Sequence, residues 1–479
     1  MAKSKTSTYT LELEIKPTTS IKHIIDKRLR VAKSIYNTCL NEVLKRHKAL
    51  KSDKEYRRLI SQPSSNERNA LLKDIRLKYG FSEYQLHSWV NQVKYHFEGH
   101  LGINEVQKLA TRAFSAVEKL HYGKSKKVFF KSKDDDISVE NKSNKTGLRY
   151  SNNKILWGKL FLGSPIVKNN DKYAQLSLLD ETKYVRILTR EIRGKKRYFI
   201  QLCQKGIPPK KRETSNVENR VGIDIGTSTI AVVSDKKVFI KELVDLKTPY
   251  KKLRRLERAM DRSKKSTNPQ NYNSNGTVKK GSKHWNFSNR YLKIKSKRKE
   301  LFRKLSVIRK QTHEKTANEI LSLGLDVRVE TMRFQSLQKR AKKTTRNIKN
   351  GKINKKKRFG KSILNYAPAM LISILDMKLK YQQLNIKKID TYSVKASQFN
   401  HTTGEFTKKH LSDRWNNIDG QLIQRDLYSA FLIKNTTQHL DVVDVDLCNL
   451  EFENFIKLHN IEISRLKQSQ NKLLRWFVA

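Results

Sequence analysis

Three acidic residues in this chain stand where a carboxylate is costly. Asp224 lies in VGIDIGTSTIAVV, Glu330 closes LDVRVETM, and Asp426 opens QRDLYSAFLI. A carboxylate inside or at the end of an apolar strand is unfavourable unless it is paired or holds a metal ion. Acidic residues are also scarce here, 45 Asp+Glu against 102 Lys+Arg, for a net charge of +57. Three such positions in so basic a chain imply divalent cations and a polyanionic substrate. The trio suits two hard cations about 3.5–4 Å apart, the arrangement used to hydrolyse phosphodiesters. No histidine pair, serine triad or cysteine nucleophile competes for the role.

Each residue also has a bland reading, and the joint spacing is what raises the functional one. In VGIDIG, Val221, Ile223 and Ile225 alternate with Gly222, Asp224 and Gly226, so Asp224 projects away from the packed face. Gly226 is the expected point of close approach for a ligand or backbone. In VRVE, Val327 and Val329 point one way and Glu330 ends the strand. Asp426 begins an apolar helix, where the macrodipole alone would favour a carboxylate.

The elements that must position these groups fall into blocks. Tyr9, Leu11, Leu13 and Ile15 alternate with polar residues and predict a strand ended by Pro17. A helical region follows over about 20–121, with Leu29, Ala32, Tyr36, Leu40 and Val43 on one stripe. The pattern then turns to β, with strands expected in VFFKSKDDD, KLFLG and AQLSLL. A hairpin is expected in YVRILTREIRGKKRYFIQLC, its turn at Arg193, Gly194 and Lys195. The first strand would join this sheet into a barrel, with the helical domain inserted between them. Beyond a linker with Pro208 and Pro209, strands and helices alternate, which predicts an α/β domain.

Charge and composition bound the partners. A net charge of +57 would repel itself in a compact state and calls for a nucleic-acid partner. Candidate contacts are Arg28 and Arg30 in the helical region, Lys251, Arg254 and Arg255 in KKLRRLERAMDRSKK, and Arg425 beside Asp426. The loop from Lys339 to Lys361 adds Lys342, Lys343, Arg346, Lys355, Lys356, Lys357 and Arg358. These could be ordinary solvated faces. Against that, they interrupt a folded domain, and Trp285, Phe287, Tyr291 and Phe302 lie among the charges, which favours phosphate binding with base stacking. Arg425 would either touch a phosphate or pair with a carboxylate. Cys39, Cys203 and Cys448 are isolated, so neither disulfides nor a cysteine zinc site is expected. With no apolar run of ~18–20 residues and no secretory leader, a cytoplasmic protein is expected, nucleoid-associated when bound to DNA.

DIGTS resembles the first phosphate loop of actin-like ATPases and sugar kinases. That reading needs a glycine pair near the adenine, and this chain has no two adjacent glycines. A closer resemblance covers nearly the whole chain. GIDIGTSTIAVVS, RKQTHEKTANEILSLGLDVRVETM, LDMKLKYQQLNIKKIDTYS and QRDLYSAFLI are similar to segments of TnpB, the RNA-guided nuclease family of IS200/IS605-type transposons, and of compact type V CRISPR effectors. The resemblance implies an RNase H-like (RuvC) nuclease domain with its catalytic and metal-binding carboxylates at Asp224, Glu330 and Asp426. It implies a wedge β-barrel from 1–19 and 123–218, with a recognition domain inserted at 20–122. The nuclease domain would span 219–394 with a basic helical insertion, and resume at 425–479. It further implies magnesium, a guide RNA, recognition of a short motif beside a double-stranded DNA target, and cleavage at one site. A monomer bound to RNA is expected.

The family's zinc ribbon, two cysteine pairs before the third acidic residue, has a cysteine-free counterpart here at 395–424. No zinc is expected there; His401 and His410 read as polar loop residues, with Phe399, Phe406 and Trp415 packing in its place. Two rival functions stay open: an RNA-guided DNA-binding repressor without cleavage, and an unguided DNA transposase or resolvase.

Overall fold

The computed structural model describes residues 7–92, 94–209, 219–244, 249–281, 283–338, 346, 351, 359–408, 410 and 413–478. The chain divides into two compact units, Met1–Lys211 and Arg212–Ala479. Both mix helices and sheets.

The first unit opens with β1 (Thr8–Ile15), whose Tyr9, Leu11, Leu13 and Ile15 are all buried, as their alternation requires. Pro17 ends the strand, and the Thr18 hydroxyl accepts from the Ile21 amide to cap α1 (Thr19–Ser52). The stripe of α1 packs with α2 (Lys54–Ser61), α3 (Asn66–Lys78), α4 (Glu83–Gln92) and α5 (Ile103–His121) in one apolar core. Then come β2 (Val139–Glu140), β3 (Leu148–Ser151), β4 (Lys154–Trp157), β5 (Leu160–Gly163), β6 (Pro165–Ile166), α6 (Lys172–Ser177), β7 (Thr182–Ile192) and β8 (Lys195–Lys205). The main sheet runs β2-β7-β8-β1-β6, antiparallel throughout, and β3-β4-β5 form a second. Arg193 and Gly194, at φ 52° and 75°, make the two-residue turn of β7 and β8; Lys195 already belongs to the strand.

A buried carboxylate organises this unit. Glu105, 1% exposed, accepts from the amides of Gly102 (2.8 Å) and Leu148 (3.1 Å) and from Trp157 Nε1 (2.9 Å). Arg28 stacks on that indole at 4.7 Å and donates to the Trp157 carbonyl. Two local expectations fail. AQLSLL begins in α6 rather than a strand, because Asp171 accepts from the Ala174 amide and caps a helix. VFF forms no strand: Phe129 and Phe130 lie exposed, and Lys131 is held instead by the Asn37 side chain.

The second unit contains β9 (Arg220–Ile225), β10 (Thr229–Val233), β11 (Val238–Glu242), α7 (Tyr250–Thr267), α8 (Asn289–Leu323), β12 (Asp326–Glu330), α9 (Phe334–Gln338), α10 (Gly360–Tyr366), α11 (Pro368–Lys380), β13 (Lys387–Ile389) and α12 (Thr391–Val394). The hairpin of β14 (Trp415–Ile418) and β15 (Gln421–Gln424) leads into α13 (Arg425–Lys434), α14 (Val445–Gln468) and α15 (Lys472–Arg475). Its five-stranded sheet has the order β11-β10-β9-β12-β13. β9 to β11 form an antiparallel meander, while β12 and β13 run parallel to β9. One face, with Val221, Ile223, Val327 and Val329, packs on residues of α8 and α11. The other, with Ala231 and Val233, packs on α13 and α14. Among the described residues, no helix is long and apolar enough to cross a membrane.

Candidate active site

The period-two alternation of β9 sends Gly222 and Asp224 to the α13 side of the sheet. β12 lies beside it in parallel register, Arg328 opposite Gly222 and Val329 opposite Ile223. One residue further along both strands, Glu330 stands level with Asp224 and on the same face. Asp426 sits in the first turn of α13, whose cap is Gln424: its side-chain oxygen accepts from the Leu427 amide at 2.9 Å. Two strands and a helix start thereby bring the three carboxylates into one another's field.

The close approach that allows this is made by Gly222, not by the expected Gly226. A Cβ at 222 would lie 2.5 Å from the Lys434 amide nitrogen and 2.7 Å from Lys434 Cβ, and closer still to the Ala430 carbonyl oxygen. A Cβ at 226 would meet nothing nearer than 3.5 Å. Because the 430–434 turns rest on Gly222, the start of α13 one turn earlier is carried toward Asp224.

Electrostatics register the convergence. Burial, then the charges of Asp426 and Glu330, push the Asp224 carboxyl well above the usual carboxylate range, and Arg425 acts in the opposite sense. Burial raises Glu330 as well. Asp426 has cations at hand, Arg425 Nε at 3.5 Å and Arg414 Nη1 at 3.9 Å. The donors are all carboxylate oxygens, with more negative charge than the local arginines offset. That set fits a hard divalent cation such as magnesium. As they stand, no three His, Cys, Asp or Glu side chains among the described residues close into a metal-holding group.

The other expected contacts are dispersed. Arg30, Lys251, Arg254, Arg255 and Arg346 are exposed. Arg28 is half-buried, its guanidinium against Trp157. Arg425 pairs with Asp426 and donates to the His410 carbonyl. Lys342, Lys343, Lys355, Lys356, Lys357 and Arg358 lie outside the described residues. Aromatic and basic groups do interleave on the helical insertion: Lys264 Nζ lies 3.6 Å above the Trp285 ring, and Phe287 stacks on Tyr291 at 4.5 Å.

In the cysteine-free segment, Phe399 and Phe406 pair with rings 4.9 Å apart. His401 lies in a turn, as expected, but is buried rather than solvated. It is 2% exposed, with Nδ1 at 2.6 Å from the Tyr428 hydroxyl and its ring against Phe452. Sequence reasoning also missed Arg328. This residue, 1% exposed, pairs with Asp326 at 3.0 Å and donates to the Thr436 carbonyl and hydroxyl just beyond α13. The signal was an arginine between the two buried valines of VRV.

Residues 201–341 match the model of the OrfB_IS605 family, described as a probable transposase. The matched segment includes Asp224 and Glu330. A chain of the Cas12f1–sgRNA–target DNA complex, solved by cryo-electron microscopy, is similar at 14% identity with a TM-score of 0.43. The match covers 90% of this chain and 99% of that one. A chain of a CRISPR–Cas12f ternary complex gives a TM-score of 0.24 at 14% identity and the same coverage. No curated protein sequence matches.

Proposed function

We propose that this protein is an RNA-guided DNA endonuclease of RuvC type. The observation that carries the reading is the convergence of Asp224, Glu330 and Asp426 on one end of a sheet in a chain of net charge +57. Base pairing with a guide RNA supplies sequence specificity, and the protein grips backbones through lysine and arginine. Residues 20–122 form the recognition domain and 1–19 with 123–218 the wedge barrel; together they read a short motif beside the target. Residues 219–394 and 425–479 form the nuclease, with 395–424 as the zinc-free target-binding segment.

Asp224, Glu330 and Asp426 would hold the magnesium ions, which when bound would supply activated water and charge stabilisation at the phosphodiester. Asp224 and Glu330, fixed on neighbouring strands, give the rigid half of the site. Asp426 enters from a helix whose position depends on Gly222. Arg414 and Arg425 restrain the Asp426 carboxylate and offer positive charge to an arriving phosphate.

The test is purification with co-expressed RNA from the flanking DNA, then cleavage of a matched target with magnesium. Asp224→Ala should abolish cutting and leave target binding intact; cutting that survives removes the metal assignment. The family's description as a probable transposase favours a second reading, an unguided transposase. RNA retained through high-salt purification argues against it, and nucleic-acid-free protein that cuts duplex DNA would establish it.

A further inference from the structure

The C-terminal end of the second unit carries a cleft of 470 Å³ lined by Lys467, Lys472, Arg475, Trp476 and Val478. No acidic residue occurs after Glu462, whereas Arg465, Lys467, Lys472 and Arg475 follow it. The cleft is a built feature. Leu474 and Phe477 are buried, Asn471 caps α15 through the Leu473 amide, and its Nδ2 donates to Glu242 Oε2 at 3.1 Å. Trp476 nevertheless keeps 51% of its surface exposed.

One face of that indole is taken. Arg414 lies over it at 3.8 Å, and the same guanidinium reaches Asp426 Oδ2 at 3.9 Å. Arg414 Nε is buried and has no hydrogen-bond partner among the described residues. A single side chain thus joins the acidic centre to an exposed aromatic platform ringed by cations. Open aromatic faces flanked by phosphate-binding cations are how proteins hold single strands, because every base offers a face to stack.

We propose that this cleft holds a single-stranded stretch of the DNA being cut, one base stacked on the exposed part of the Trp476 ring and the backbone held by Lys467, Lys472 and Arg475. The inference rests on the nuclease reading above and adds the path by which the strand reaches Asp426. Arg414 is the positioning residue between platform and site.

The test uses the guide-loaded Asp224→Asn complex with a matched target carrying 5-iododeoxyuridine near the cut site, photocrosslinked and mapped by mass spectrometry. Adducts on Trp476 are expected. In the cutting-competent complex, Trp476→Ala should slow cleavage on the order of tenfold at unchanged target binding, with Trp476→Phe restoring most of the rate. Lys472→Ala with Arg475→Ala should flatten the salt dependence of cutting. Cleavage that depends on Asp224 but leaves no adduct on Trp476, with Trp476→Ala cutting at the wild-type rate, overturns this inference alone. Adducts that form only from iodouridine in the guide RNA overturn it in favour of an RNA contact. A wild-type complex that never cuts sinks both this inference and the reading beneath it.

Discussion

Gly222→Ala is the smallest change that should disturb the site without touching a carboxylate. The added methyl would sit 2.5 Å from the Lys434 nitrogen, 0.9 Å short of the 3.4 Å at which ordinary contact begins. Backbone lies on that side, with the Ala430 carbonyl oxygen closer still, so no flexible side chain can give way and α13 must shift by at least that distance. Overpacking of this kind costs about 1–3 kcal/mol, or roughly 2–10 °C in Tm for a unit of this size. Displacing Asp426 by close to 1 Å could cost on the order of a hundredfold in cleavage rate. Scanning fluorimetry and single-turnover cleavage read the two effects, with Gly226→Ala as the stability control because its methyl has room. If Gly222→Ala melts within a degree of wild type and cuts equally fast, the helix does not rest on that glycine and the geometry is wrong.

Further outcomes follow from other groups. Arg328→Met should destabilise the second unit by about 1–3 kcal/mol, since it removes the donor to the Thr436 carbonyl and hydroxyl at the end of α13 while Lys387 still holds Asp326; an unchanged chemical-denaturation midpoint contradicts that. Glu105→Ala orphans three donors and should cost the first unit about 3 kcal/mol or more, seen as an earlier melting transition. For pH, Asp224 and Glu330 bind protons more tightly folded than unfolded. Their contribution is therefore complete below about pH 4, where the unfolded carboxyls titrate, and is lost as pH rises through the folded values. In a chelating buffer, Asp224→Asn should gain Tm over wild type as pH rises from 4.5 to 8, and magnesium at pH 8 should shrink the gap. A difference flat across that range refutes the assignment.

How much of this could be read from sequence depended on whether the signal was local. The alternation of Tyr9 to Ile15 and of Val221 to Ile225 fixed strand faces, because period two leaves one solution once a face is buried. The Arg193–Gly194 turn lay between two alternating runs and was equally plain. The hairpin at Asn152 and Asn153, both left-handed, was missed although asparagine pairs suit such turns. AQLSLL was too short an apolar run to tell strand from helix, and Asp171 decided it. The carboxylates were legible as misplaced charges. Gly222, Arg328, His401 and Arg414 were not, because each acts through residues distant in sequence: Ala430, Thr436, Tyr428 and Trp476.

The central claim is that three separated carboxylates share one appetite for divalent cations. Manganese binding to the metal-free protein, followed by electron paramagnetic resonance, tests it without reference to cleavage. Wild type should show a saturable site that is lost in each of Asp224→Asn, Glu330→Gln and Asp426→Asn. Three variants that bind manganese as tightly as wild type would contradict it.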